Sequence, residues 1–202
     1  MRRSDARLRL IELLRAPGRL LDIGCSLGYF VEAANARGWL ASGLEISPFA
    51  ARKAHEMGLD VRTGVLQNGF YPKSSFDCVT MWDVLEHVPD PTEHMRKVNQ
   101  VLADDGLVVI GTPNLEHLRF KIKRERWRHL KPSEHVFYFK KLSITRLLNK
   151  TGFGIIQPPL LGSRSFPGST AAVLKYTLGR LAQPNDVMIV FGVKNAVEIP
   201  SN

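Results

Sequence analysis

Three residues that can accept a proton or bind a cation follow a strongly apolar stretch. Asp83, Glu86 and His87 come directly after the run from Phe76 to Trp82. Carboxylates and imidazoles are common general acids and bases, and they also ligate divalent cations. We predict that His87 acts as the base of a proton-transfer reaction, with Glu86, Asp83 and the more distant His135 as further catalytic residues.

An acidic residue and two glycines lie together in a second segment, LLDIGCSLG, at residues 20–28. An apolar run precedes the first glycine and helical spacing follows the second, which is typical of a strand, a tight turn and a helix. A backbone without Cβ atoms can approach a ligand closely at such a turn. We predict a cofactor site with these contacts: Asp22, Gly24, Cys25, Ser26 and Gly28.

A carboxylate at the end of the next apolar segment fits the same site. Glu45 lies 17 residues after Gly28, and its two oxygens can accept hydrogen bonds from both hydroxyls of a ribose. Ile46 and Leu66 offer apolar faces for an aromatic base. Trp82, at the end of the fourth apolar segment, completes the predicted cofactor contacts.

The elements that position these residues alternate between strand-like and helix-like spacing. We predict strands at 19–24, 39–46, 60–63, 76–82, 107–111, 154–156 and 186–194, and helices at 4–15, 29–37, 48–57, 91–102, 143–150 and 169–181. This alternation indicates an α/β domain with a doubly wound parallel sheet, in which ligands bind outside the carboxyl ends of the strands. We expect residues 1–202 to form a single domain with inserts at 115–134 and 169–181.

Together these motifs resemble those of class I S-adenosylmethionine-dependent methyltransferases. The resemblance is carried by LLDIGCSLG, Glu45, FDCVTMWDVLEHVPDP at 76–91 and VLADDGL at 101–107, and it continues through TPN at 112–114 and EHVFYF at 134–139 to Gly152. Within this family, the sequence is similar to small-molecule members such as the ubiquinone-biosynthesis O-methyltransferases. Ser26 stands where the family usually has glycine, and the loop at 64–67 offers Gln67 or backbone where an acid often binds adenine.

The resemblance implies a Rossmann-like, mostly parallel seven-stranded sheet with an antiparallel C-terminal strand. It implies S-adenosyl-L-methionine as cofactor, with Asp22 and the glycine turn at its methionine part and Glu45 at its ribose. The implied activity is O-methylation of a small molecule.

The Asp-x-x-Glu-His spacing with a later histidine is similar to the metal-binding set of small-RNA 2′-O-methyltransferases. Asp83 is shorter than the glutamate in that set, and the Glu-His pair also occurs in members without a metal. We therefore expect no metal, and the weak candidates for one are Asp83, Glu86, His87 and His135.

A basic segment at 115–134, LEHLRFKIKRERWRHLKPSE, contributes to the formal net charge of +9. Arginines can bind phosphate or carboxylate in a bidentate manner, and Trp127 offers a ring for stacking. The alternative is a solvated polar face that Phe120, Ile122 and Trp127 anchor to the protein. We expect a small, anionic partner and favour nucleic acid less.

Composition excludes several classes of protein. No apolar run approaches the roughly 20 residues that span a bilayer, and the charged N-terminus lacks a signal-peptide core. Cys25 and Cys78 lie in apolar runs, which favours buried, reduced thiols and a cytoplasmic location.

Three other functions compete with small-molecule methylation. The charge favours a 2′-O-methyltransferase acting on RNA, and a non-catalytic protein that binds the cofactor would need the same glycine turn. A nicotinamide dehydrogenase is disfavoured because Gly-x-Gly-x-x-Gly is absent.

Overall fold

The computed structural model describes residues 2–127, 129–156 and 186–195. The strands are β1 (Arg19–Ile23), β2 (Leu40–Glu45), β3 (Val61–Thr63), β4 (Phe76–Trp82), β5 (Leu102–Pro113), β6 (Phe153–Ile156) and β7 (Val187–Lys194). The helices are α1 (Arg2–Glu12), α2 (Tyr29–Asn35), α3 (Pro48–Glu56), α4 (Pro91–Val101), α5 (Leu118–Lys123) and α6 (Lys141–Lys150), with 3₁₀ turns at Leu85–His87 and Arg124–Arg126. Across these ranges, none of the helices has the length and apolar character needed to cross a membrane.

The strands form one sheet in the order β3-β2-β1-β4-β5-β7-β6. The pairs β1–β2, β1–β4, β2–β3 and β4–β5 are parallel. Strand β7 lies between β5 and β6 and is antiparallel to both. The predicted doubly wound, mostly parallel sheet with an antiparallel C-terminal strand is confirmed.

The predicted start of the fifth strand is wrong. Strand β5 begins at Leu102, immediately after α4, where it pairs with Phe76, and regular pairing resumes at Leu107. Asp105, with a φ of 59°, belongs to an irregularity inside the strand. Because the side chain of Leu102 is fully buried, packing against the core favours a strand that begins before the predicted start at residue 107. The helix predicted at 169–181 lies outside the described residues.

Side chains alternate between the two faces of the central strands, so each face carries its own apolar layer. Val79 and Met81 of β4 contribute to the layer that includes α4 and α6. Cys78 of the same strand contributes to the layer that includes α1, α2 and α3. Cys25 also lies in this second layer, and both cysteines are buried and unbridged.

Helix α1 packs on the second layer and is held there at its C-terminal end. Leu8 and Ile11 are fully buried. Glu12 accepts hydrogen bonds from the Arg37 guanidinium, through Nε at 2.7 Å, and from Trp39 Nε1 at 3.4 Å. These contacts tie the C-terminal end of α1 to the segment between α2 and β2.

We expect Ile11→Ala to lower the free energy of unfolding by about 2–5 kcal/mol, because it leaves a cavity under α1. Urea unfolding followed by circular dichroism measures the change. Arg9→Ala, on the exposed face of the same helix, is the matched control and should change stability by less than about 0.5 kcal/mol. Equal losses in both variants would contradict the packing of α1.

Candidate functional site

The glycine turn joins β1 to α2 with three residues in the left-handed region of backbone space. Gly24, Ser26 and Gly28 have φ values of 72°, 51° and 81°. Glycine adopts this region without a steric penalty, whereas serine does so at some cost. The left-handed conformation of Ser26 therefore explains why glycine is the usual residue at this position of the turn.

Two glycines of the turn make room for neighbouring side chains. A Cβ at Gly24 would overlap Val84, and one at Gly28 would overlap the side chain of Leu59. The sequence predicted that these glycines let a ligand approach. The structure adds that they also let the turn pack against the segments after β4 and α3.

The backbone N–H groups of the turn are mostly used within the protein. Those of Gly24 and Cys25 donate to the carbonyl oxygen of Leu44, at 2.7 and 3.3 Å. The N–H of Ser26 donates to Glu45 Oε2 at 2.8 Å. A dinucleotide site needs such groups for its pyrophosphate, so this turn is poorly suited to an anionic group.

Glu45 ends β2 beside the turn, and the residue is 8% exposed. Its other oxygen, Oε1, accepts the N–H of Ser47 at 2.8 Å, at the start of α3. Each carboxylate oxygen has a second lone pair. The carboxylate can therefore hold the turn and still accept hydrogen bonds from ligand hydroxyls.

Asp22 is buried under the turn and accepts a hydrogen bond from Thr80 Oγ1 at 2.6 Å. Burial raises the pKa of Asp22 to about 7, although the Thr80 hydroxyl and Arg7 act in the opposite direction. A buried carboxylate that ionises near neutrality favours a cationic ligand close by, because such a ligand stabilises the charged form.

Arg7 is a site residue that the sequence analysis missed. Helix α1 places its guanidinium 3.9 Å from the centre of the Trp82 ring. Burial lowers the pKa of Arg7 to about 10, while nearby Asp83 and Asp22 raise it. Nothing in the sequence distinguishes Arg7 from the other arginines of α1, since only the packing of the helix brings it to the site.

The two residues predicted to contact the aromatic base of the cofactor, Ile46 and Leu66, differ in exposure. Ile46 is 69% exposed beside Glu45 and offers an open apolar surface, whereas Leu66 is 3% exposed and packs in the core. Within the described ranges, the indole nitrogen of Trp82 and one oxygen of Asp83 are buried without a hydrogen-bond partner. The hydrogen-bonding capacity of these two atoms is therefore not used by the described residues.

Glu86 lies in the 3₁₀ turn after β4, and its side chain is 1% exposed. Thr112 Oγ1 at the end of β5 donates to Glu86 Oε2 at 3.0 Å. Burial raises the pKa of this carboxyl. The carbonyl oxygen of Glu86 also accepts the N–H groups of Val136 and Phe137, which brings the distant segment around His135 to the same place.

The two predicted histidines meet edge to face, with their ring centres 4.7 Å apart. His87 Nδ1 lies 2.8 Å from the carbonyl oxygen of Glu134, an acceptor, so Nδ1 carries the hydrogen. Nε2 of His87 is then the atom that can accept a proton. Burial lowers the pKa of His135, and electrostatic repulsion from His87 lowers it further. The His135 imidazole is therefore neutral over a wider pH range.

Three of the four residues predicted as weak candidates for binding a metal lie close together. Glu86, His87 and His135 offer ligand atoms within 4.8 Å of one another, and Asp83 does not belong to this group. One oxygen of Glu86 and Nδ1 of His135 are buried without a hydrogen-bond partner among the residues described. The donor set fits a divalent cation, which these three residues would hold, and the expectation that none is required stays a prediction.

The basic segment forms α5 and the 3₁₀ turn that follows it. Trp127 is 2% exposed and donates from Nε1 to Asp186 at 2.6 Å, so its ring is not available for stacking on a ligand. Trp127 anchors the segment, but Ile122, which is 72% exposed, does not. Exposed Lys123 and Arg126 line an open cavity of about 620 Å³, together with Ile122 and Glu125.

Comparison with known proteins identifies the family of this domain. Residues 2–157 match the model of a methyltransferase domain. The ubiquinone biosynthesis O-methyltransferase of Saccharophagus degradans is 32% identical over 106 residues, which cover 49% of this chain and 45% of that protein. Its counterpart from a Caulobacter species is 35% identical over 106 residues, covering 48% of this chain and 41% of that one. The chain thus spans less than half the length of these curated relatives.

A solved S-adenosylmethionine-dependent methyltransferase from Mesorhizobium loti has the same fold, with a TM-score of 0.67 and 19% identity over 95% of this chain and 100% of that one. The methyltransferase family predicted from the motifs, with S-adenosylmethionine as its cofactor, is confirmed. Because the matched domain covers well over half of the sequence, this protein belongs to the methyltransferase-domain family.

Proposed function

We propose that this protein transfers the methyl group of S-adenosylmethionine to an oxygen atom of a small, anionic molecule. The observation that carries the proposal is the charge of the cofactor side. Asp22 and Glu45 flank a turn whose N–H groups are already bonded, an arrangement that suits a cationic sulfonium ligand and disfavours a pyrophosphate.

The cofactor supplies an already activated methyl group, so the protein must align the acceptor and remove its proton. His87 Nε2 accepts that proton, while the backbone carbonyl oxygen of Glu134 accepts a hydrogen bond from Nδ1 and holds the ring. Glu86 and His135 pack beside the imidazole and keep it in place. Glu45 binds the ribose hydroxyls, and the guanidinium of Arg7 binds the carboxylate of the methionine part.

The basic segment supports an anionic acceptor. Exposed Lys123 and Arg126 follow β5 in the chain, on the side where ligands bind in open α/β sheets. The curated relatives are named as O-methyltransferases of ubiquinone biosynthesis, which favours oxygen as the attacked atom. Two buried, unbridged cysteines favour a reducing, cytoplasmic setting.

An RNA 2′-O-methyltransferase is the second candidate. The convergence of Glu86, His87 and His135 and the net charge of +9 favour it. Recognition of single-stranded RNA relies on exposed aromatic side chains that stack on bases. Trp127 is buried, so this ring of the basic segment cannot stack on a base.

Calorimetric titration of S-adenosylmethionine and of NADH, each into metal-free and Mg²⁺-supplied protein, tests the proposed cofactor. We expect binding of S-adenosylmethionine alone, with or without Mg²⁺. Binding of NADH alone would overturn the proposal. Methyl transfer to anionic phenols and to RNA in the same buffers separates the two candidate acceptors, and binding without any transfer would favour the non-catalytic alternative.

We expect Glu45→Gln to weaken the binding of S-adenosylmethionine about tenfold or more. The amide replaces one acceptor oxygen by a donor that faces a backbone N–H, and it also weakens the hydrogen bonds to the ribose. Glu56→Gln, an exposed change on α3, is the matched control and should bind normally. Unchanged affinity in the Glu45 variant, measured by calorimetry, would remove Glu45 from the cofactor site.

We expect His87→Asn to lower kcat by about 10²–10⁴-fold and to leave cofactor affinity unchanged, because the proton acceptor is lost while the turn is intact. Radiolabelled methyl transfer and calorimetry measure the two quantities. His55→Asn, exposed on α3, controls for loss of a histidine. A normal kcat, or a loss of cofactor affinity alone, would contradict the role of His87.

Binding of S-adenosylmethionine should strengthen as the pH rises from 6 to 8. Asp22 has a raised pKa of about 7, so its carboxyl is largely neutral at pH 6 and becomes anionic above pH 7, where it attracts the sulfonium. Below the pKa of Asp22, the affinity for S-adenosylmethionine should rise by up to about tenfold per pH unit. Calorimetry at several pH values should give a steep profile for the wild type and a flatter one for Asp22→Asn. Equal pH profiles in the two proteins would show that the ionisation of Asp22 does not affect cofactor binding.

A further inference from the structure

A single backbone peptide group, between Glu134 and His135, faces the ring of His87. Its carbonyl oxygen, from Glu134, lies 2.8 Å from His87 Nδ1, and its N–H, from His135, donates to the carbonyl oxygen of Lys131 at 2.8 Å. A trans peptide group is planar, and its C=O and N–H point in opposite directions. The hydrogen bond to Lys131 therefore directs the Glu134 carbonyl oxygen towards the imidazole.

Lys131 is itself held by a side chain later in the same segment. Its N–H donates to the hydroxyl oxygen of Tyr138 at 2.9 Å, and its carbonyl oxygen also accepts the N–H of Glu134 at 2.9 Å. Residues 131–134 are all exposed, so water competes for the backbone groups of this turn. The Tyr138 hydroxyl thus fixes the beginning of a turn that solvent would otherwise loosen.

The backbone that carries Tyr138 is bonded on both sides. The next residue, Phe139, is buried, and its carbonyl oxygen accepts the N–H of Leu115, just after β5. The preceding residue, Phe137, donates its N–H to the carbonyl oxygen of Glu86 at 3.0 Å. The phenol of Tyr138 is therefore a fixed support for the exposed turn.

The contact at Nδ1 decides which nitrogen of His87 can accept a proton. In a neutral imidazole, one nitrogen carries the hydrogen and the other has the free lone pair. A carbonyl oxygen only accepts hydrogen bonds, so its position beside Nδ1 favours the tautomer in which Nε2 has the lone pair. If the turn moved, part of the protein would have the other tautomer, which cannot act as a base at Nε2.

We propose that Tyr138 is a positioning residue for His87. Through Lys131 and the Glu134 carbonyl oxygen, its hydroxyl fixes the tautomer of His87 that has the hydrogen on Nδ1. This role needs no contact between Tyr138 and the methyl acceptor. The inference rests on the proposed function for the role of His87 as the base, but the tautomer can be measured without methyl transfer.

NMR of protein labelled with ¹⁵N in its six histidines reports which nitrogen of each neutral imidazole carries the hydrogen. Spectra are recorded at about pH 9, where imidazoles are ordinarily neutral, and His87→Asn identifies the signals of His87. Tyr138→Phe removes the hydroxyl and keeps the ring beside His135. Tyr29→Phe, at an exposed tyrosine of α2, is the matched control, and thermal unfolding checks that the variants are folded.

We expect His87 of the wild type to have its hydrogen on Nδ1, Tyr138→Phe to move a measurable share of it to Nε2, and Tyr29→Phe to match the wild type. In a methyl-transfer assay, Tyr138→Phe should lower kcat about two- to tenfold, the effect of one lost hydrogen bond, and leave KM nearly unchanged.

Three results would overturn the proposal. They are a wild type with the hydrogen of His87 on Nε2, a Tyr138→Phe variant with the wild-type tautomer, and a shifted tautomer with unchanged kcat. Absence of methyl transfer in the wild type would instead count against the proposed function, and the NMR comparison would still test the link between Tyr138 and His87.

Discussion

The carboxylate of Glu45 holds together the site on which the rest of the arrangement depends. It accepts one backbone N–H from the turn after β1 and another from the start of α3, so it joins the ends of two neighbouring strands to the elements that follow them. Such bonds to an ionised group are stronger than those between neutral groups. They hold Ser26 in a left-handed conformation that a serine would otherwise avoid.

The carboxyl edge of the sheet is divided by charge. The proposed cofactor side has the buried Asp22, Glu45 and the nearby Asp83, with Arg7 as the cation that α1 brings to them. The proposed acceptor side follows β5, where exposed Lys123 and Arg126 lie beyond His117. A positively charged methyl donor and an anionic acceptor would each meet the opposite charge, which favours a defined orientation of both.

The end of strand β5 connects two groups of side chains, Glu86 with the two histidines beside it and Asp186 with His117. Thr112 at its end bonds the buried Glu86, and the next residues bond Asp186 and Phe139. The antiparallel β7 places Asp186 at this edge because Val187 pairs with Pro113. A strand inserted between β5 and β6 therefore brings a buried carboxylate to the end of β5.

The sequence by itself determined the elements and the local motifs. Periodicity predicted the seven strands, and the glycine turn and the Glu86-His87 pair marked the candidate site, because these signals lie within a few neighbouring residues. The roles of the site residues stay predictions. Only the tertiary structure decided which distant residues meet. It brought Arg7 to Trp82, buried Trp127 against Asp186 and moved the start of β5 to Leu102. These outcomes depend on packing between elements far apart in the chain, which no local pattern of residues encodes.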